Sequence, residues 1–312
     1  MIRLKKKIGS FLATLAILAM VACGNNNSSK SQSSKVIAVT IPPLQGLVAE
    51  IVGADYHIEC LLPSGSSPET YSPTARQITA LSNAEFFFAV GTMPFEEELT
   101  KRVENQQNNI IITSEGIELL TTSCEHHHKE EPHAEGENHS HDHLSTTHSH
   151  HHHGSDPHVW LAPDELQVIV DNIASEIIAA HPDSTKYIAN YEQLKAKLEA
   201  RKLHYAELLK NAPKSFLIYH PALGYLAEDF GLEQISLENE GKSPTPSALA
   251  NIVDKVESEG LSVVLYQQEY PLDVVKPIAE ILGVKLIEIN PLSNNIIAEL
   301  DKIVITLTNS YE

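Results

Sequence analysis

The chain has 312 residues, 42% of them apolar and 20% charged, with a formal net charge of -19. An acid excess of that size argues against nucleic acid and against docking on anionic lipid headgroups, and it is compatible with cation binding. The apolar share supports a sizeable core, and the length allows one large or two ordinary domains.

Met1 to Lys7 is basic, and Ile8 to Ala22 is apolar apart from Gly9, Ser10 and Thr14. That run falls short of the about 20 residues a membrane-spanning helix needs, but it matches the apolar core of a secretory signal, placing a signal peptide at 1–22. It ends in Met20-Val21-Ala22-Cys23-Gly24. This resembles the lipobox of bacterial lipoproteins, in which the signal is cleaved before the cysteine and the thiol of Cys23 carries a diacylglyceryl group. The competing reading is a soluble exported protein with an incidental cysteine. Residues 23–35, rich in Asn and Ser, then form a flexible tether. Cys60 and Cys124 are left as an even pair in an oxidising compartment. A disulfide, or a buried Cys60 with a metal-facing Cys124, fits equally well.

Beyond the tether, strand-like runs at Val36 to Ile41, Ile58 to Leu62, Phe86 to Val90 and Ile110 to Ile112 alternate with helical patterns near Gln45 to Val52, Thr74 to Ser82 and Phe95 to Gln106. Such alternation implies a parallel sheet covered by helices, here an N-terminal α/β lobe over 36–163. Two helical patterns follow within 164–212. The second, about 184–210, starts at an Asp183 or Ser184 cap and carries Tyr187, Tyr191, Leu194, Leu198, Tyr205 and Leu208 near a 3.6-residue period, with Arg201 in the gap. At about 1.5 Å per residue it spans about 39 Å, long enough to serve as a backbone between two lobes. From 213 to 312 the alternation restarts, with strands at Phe216 to Tyr219, Ile235 to Leu237, Val263 to Gln267 and Lys285 to Ile289. The fold class is therefore α/β: two lobes with parallel sheets, one long joining helix, and a cleft at the carboxyl ends of the strands, where ligands bind.

Inside the first lobe lies a loop, 125–153, that holds twelve of the chain's 17 histidines: His126, His127, His128, His133, His139, His141, His143, His148, His150, His151, His152 and His153. Its other residues are mostly Glu, Asp, Ser, Gly and Asn, with Leu144 the only large apolar residue, so it cannot bury a core and is a solvated loop. Imidazole and carboxylate at that density supply ligands for zinc, nickel or copper. An expression tag does not fit a mixed tract in mid-chain. The loop empties into Asp156-Pro157-His158-Val159-Trp160-Leu161. Taken alone, His158 is either a packed histidine at a loop edge or a ligand. His220, at the carboxyl end of a strand in His220-Pro221-Ala222-Leu223-Gly224-Tyr225, is equally open.

Five stretches together resemble the metal-binding solute-binding lipoproteins of ABC transporters, the family of zinc and manganese receptors. They are Leu62-Pro63-Ser64-Gly65-Ser66-Ser67-Pro68-Glu69-Thr70-Tyr71-Ser72-Pro73, the Asp156 to Pro163 segment, His220 to Tyr225 with Phe230-Gly231-Leu232, Glu240 to Pro246, and Ile289-Asn290-Pro291-Leu292. They follow the family's order along nearly all of the mature chain. The resemblance places the second family ligand on His158 and the third on His220, and a histidine in third position is similar to zinc receptors. It also accounts for the His-rich loop. Three positions depart from the pattern. Glu69 stands where a histidine is usual, and Asn290 where an aspartate is usual. Gln267 replaces a common acidic residue, and Asn290, Gln267 and Glu269 are the candidates for a fourth ligand or a supporting shell.

The resemblance thus implies an extracytoplasmic, lipid-anchored, monomeric receptor that captures Zn2+ through Glu69, His158 and His220 and delivers it to an ABC permease and its ATPase, with the His-rich loop as accessory collector. The oxygen donor of Glu69 opens Mn2+ or Fe2+ as alternatives. A zinc-buffering surface lipoprotein without a permease uses the same site. A zinc enzyme has the same His2Glu composition, but the chain lacks a His-Glu-x-x-His helix and an evident general base.

Overall fold

In the computed structural model, residues 35–81, 84–103, 110–121, 154–238 and 242–309 are described. The first sheet is built from β1 (Val36–Val39), β2 (His57–Cys60), β3 (Phe86–Ala89) and β4 (Ile110–Ile112). All pairs are parallel, in the order β2-β1-β3-β4. Its central strands read Val-Ile-Ala-Val and Phe-Phe-Phe-Ala, apolar on both faces, as a parallel sheet with helices on both sides requires. Those helices are α1 (Pro42–Val52), α2 (Ala75–Leu81) and α3 (Pro94–Val103). Proline in the first turn of α1 costs no hydrogen bond, because the first amides of a helix have no intrahelical acceptor.

After a single turn at Val159–Leu161 come α4 (Pro163–Ala180) and the long α5 (Thr185–Leu209). Of the two expected caps the structure uses Ser184, whose hydroxyl accepts the amide of Tyr187 at 3.3 Å. Helix α5 packs against α4 and α1, and its far end lies on the last helix of the chain. Arg201 interrupts its apolar stripe because it pairs with Asp301 of that last helix at 2.8 Å, and Tyr205 donates to the same carboxylate at 2.8 Å.

The second sheet repeats the first: β5 (Ser215–Ile218), β6 (Glu233–Ser236), β7 (Val263–Gln267) and β8 (Lys285–Ile289), in the order β6-β5-β7-β8, all parallel. Its helices are α6 (Gly224–Phe230), α7 (Pro246–Glu259), α8 (Leu272–Leu282) and α9 (Ile296–Thr308). Among the described residues no helix is long and apolar enough to cross a membrane.

One apolar cluster runs through both sheets, taking Val39 and Phe88 from the first, Ile169, Ile173, Leu194 and Leu198 from α4 and α5, and Ile218, Leu265 and Ile289 from the second. Leu217 and Val264, one residue earlier on β5 and β7, point to the opposite face and pack with Val275 and Leu282 of α8 in a smaller cluster. Each fully buried Leu or Ile contributes about 1.5–3 kcal/mol relative to exposure. The seam between lobes is equally tight at Gly46, where a Cβ would meet the Asn294 carbonyl oxygen at 1.6 Å, so no side chain fits. In each sheet the chain turns back across its first strand, and the crevices left at these reversals are where the site is built.

Candidate metal centre

His220 follows β5 directly. The parallel register sets Ile218 opposite Ser236, so two residues on His220 lies level with Glu238, whose amide donates to the Tyr219 carbonyl at 3.0 Å. Glu238 is 2% exposed, and its Oε1 lies 2.5 Å from His220 Nδ1. From the other neighbouring strand, Gln267 clamps the backbone of His220: its Nε2 donates to the His220 carbonyl at 2.6 Å, and its Oε1 accepts the His220 amide at 3.3 Å.

His158 comes from the other half of the chain. Oδ1 of the buried Asp156 accepts both the His158 amide at 2.9 Å and His158 Nδ1 at 2.7 Å. The segment is tied down from three sides. Tyr225 of α6 donates to the Asp156 carbonyl at 2.8 Å, Thr92 donates to the Pro157 carbonyl at 2.8 Å, and Trp160 Nε1 donates to the Pro291 carbonyl of the second lobe at 2.8 Å. Gly224 leaves room for the carboxylate: a Cβ there would stand 2.5 Å from Asp156 Oδ2.

Each histidine therefore spends Nδ1 on a buried carboxylate, which leaves Nε2 as the nitrogen open to ligate an ion; carboxylate–histidine pairs of this kind orient metal ligands. The two imidazoles meet edge to face with centroids 5.2 Å apart. Glu69, on the loop after β2, completes the group, and one ligand atom from each of Glu69, His158 and His220 lies within 4.8 Å of the other two. His220 Nε2 sits 2.8 Å from Glu69 Oε1. Burial opposes a charge on His220, but the bonds to Glu238 and Glu69 outweigh it and raise the group to about 9. The hydrogen bond from His220 in turn lowers Glu69 below the usual carboxylate range, against the effect of burial. Ligation of an ion at His220 Nε2 would require that nitrogen to be free of its proton. The cavity is about 30 Å3, room for roughly one ion or water. Two nitrogens and one carboxylate oxygen are a sufficient donor set for zinc.

The remaining candidates fall differently. Gln267 supports His220 through its backbone, as described, with both ends of its amide engaged. Asn290 Oδ1 accepts the Leu292 amide at 3.1 Å, and the residue lines a separate cavity with Cys60 and Gln268. Glu269 lines the same cavity as Glu69, His158 and His220, and burial raises its carboxyl. Cys60 is a free thiol among the described residues, pushed up to about 12 by burial. Cys23, Cys124 and the twelve histidines of the 125–153 loop lie outside the described residues. Sequence reasoning missed Asp156 and Glu238. The Asp-Pro-His spacing signals the first, since an aspartate two residues before a ligand can reach back to it. Nothing local signals Glu238, which is brought in only by strand pairing.

Comparison with known proteins places this geometry. Residues 37–303 match the family model described as the periplasmic component A of the zinc-uptake complex, ZnuA. The chain is 29% identical over 310 residues to the high-affinity zinc uptake system protein ZnuA of Bacillus subtilis strain 168, covering 96% of this chain and 92% of that one. It is 28% identical to the zinc-binding lipoprotein AdcA of Streptococcus pneumoniae, of which it spans 56%. Among solved structures, a zinc-bound deletion mutant of ZnuA superposes with a TM-score of 0.74 at 25% identity, covering 89% of this chain and 98% of that one.

Proposed function

Since this chain belongs to the family of periplasmic zinc-uptake components, we propose that it captures one zinc ion at Glu69, His158 and His220 and releases it to the permease of an ABC transporter. The family is one of uptake receptors and not of enzymes, so the ion is cargo. The observation that carries the reading is the paired arrangement of His158 and His220: each lobe supplies one imidazole, oriented by its own buried carboxylate, and the two converge with Glu69. Alanine at His158 or at His220 should abolish tight zinc binding in chelator competition, because losing one of three ligands leaves a poor site. Parent-like affinity in either folded variant refutes the reading for that residue. The carboxylate of Glu69 favours a second cargo, Mn2+, over what three histidines would accept. The expected consequence is that Glu69→His sharpens the preference for zinc.

Three further features complete the proposal. The His-rich loop 125–153 gathers zinc weakly and raises its concentration near the site, the chain acts as a monomer, and a lipid on Cys23 holds it at the outer face of the membrane. A Cys23→Ala protein should leave the membrane fraction, and fatty-acid labelling that persists in that variant refutes the anchor.

A further inference from the structure

We infer that Glu269 is the fourth ligand of the ion, giving this chain a site of two histidines and two glutamates. The inference rests on the three-ligand reading above and extends it. Three observations carry it. Glu269 lines the small cavity that holds Glu69, His158 and His220, whereas Asn290 lines a different one. Its Oε1 is buried without a hydrogen-bond partner among the described residues, and a buried acceptor left in that state calls for a partner such as a cation or a water. The competing side chains are held elsewhere: the Gln267 amide holds the His220 backbone at both ends, and Asn290 bonds the Leu292 amide beside its own, separate cavity.

The position is also built. Glu269 lies in the turn that follows β7, closed by the Tyr270 amide donating to the Gln267 carbonyl at 3.1 Å. Gln267 is itself bonded to His220, and the ring of Tyr270 lies 5.5 Å from the His220 ring. One short chain of contacts thus fixes the turn to a ligand. The Glu269 carboxylate stands outside the group within 4.8 Å, so ligation requires it to turn about its own side-chain bonds toward Nε2 of His220 and His158. Zinc accepts such a fourth oxygen, and a second carboxylate makes the site harder than the family's histidine-rich pattern, raising acceptance of Mn2+.

The test compares the parent with Glu269→Gln, using Zn2+ and Mn2+ affinities from chelator competition and the visible spectrum of the Co2+ form. Zn2+ affinity should fall at least about tenfold, the loss that even supporting residues around a metal produce. Mn2+ affinity should fall further than Zn2+ affinity, and the Co2+ bands should shift. A Glu269→Gln protein with parent affinities and an unchanged Co2+ spectrum overturns the inference. The His158→Ala and His220→Ala proteins separate the two readings: if they lose the ion while Glu269→Gln behaves as the parent, only the fourth ligand is wrong.

Discussion

Replacing Gly224 by alanine perturbs His158 without touching it. The added Cβ would stand 2.5 Å from Asp156 Oδ2, whereas a carbon–oxygen contact settles at about 3.3 Å or more. The carboxylate must therefore retreat by roughly 0.8 Å, and its backbone cannot follow freely, because the Asp156 amide donates to the Leu120 carbonyl at 2.7 Å and its carbonyl accepts from Tyr225. Oδ1 then loses its alignment to the His158 amide and to Nδ1, and the imidazole is freed to rotate. Losing the partner of a ligating histidine costs about 10–100-fold in metal affinity, which corresponds to about 1.4–2.8 kcal/mol. Overpacking of a filled site lowers fold stability by about 1–3 kcal/mol as a separate effect. Denaturant melts of the protein stripped of metal report the second, and chelator competition on the folded protein reports the first. Asp156→Asn, which keeps the shape and removes the charge, should reproduce the loss of affinity with a smaller change in stability. If Gly224→Ala binds zinc as tightly as the parent, the Asp156 carboxylate does not govern His158.

Two other outcomes are expected. Removing residues 125–153 should lower the number of zinc ions bound per chain while one tight site persists, because flexible imidazoles bind weakly and in multiples; calorimetry in which the tight site vanishes from a folded protein would reverse the assignment of primary and accessory ligands. Glu165 on α4 and Asp229 on α6 each bury a carboxylate oxygen without a partner among the described residues, and burial followed by neighbouring acids raises them to about 7 and about 6. Their protonated forms favour the fold, so this contribution is complete below the ordinary carboxylate range and is lost as the pH rises through 6 and 7. The melting temperature of the metal-free protein should therefore fall between pH 5 and pH 8, and Glu165→Gln should flatten that slope; an unchanged slope would refute it.

The order of strands and helices was legible in the sequence because apolar runs, proline at helix starts and a 3.6-residue stripe are local properties of the chain. Among the described residues their ends fall within about three residues of expectation, as at the start of α1, which Pro42 and Pro43 open ahead of the periodic stretch. His158 and His220 could be singled out as candidates for a related reason: each stands in a distinctive short motif, His158 just before the turn at Val159–Leu161 and His220 just after β5. What could not be read locally is everything that depends on two distant segments meeting. The parallel register of β5 and β6 sets Glu238 beside His220, the lone tryptophan reaches across the seam to Pro291, and Gly224 is required by a carboxylate 68 positions earlier in the chain. The same holds for Gln267, Asn290 and Glu269, equal candidates on paper. Strand β7 turns Gln267 onto the backbone, the bend after β8 spends Asn290 on Leu292, and the turn between β7 and α8 leaves Glu269 lining the cavity. Residue type and spacing determine which side chains can ligate an ion. Only the packing of two sheets against one long helix decides which of them line one cavity, because that depends on segments far apart in the sequence.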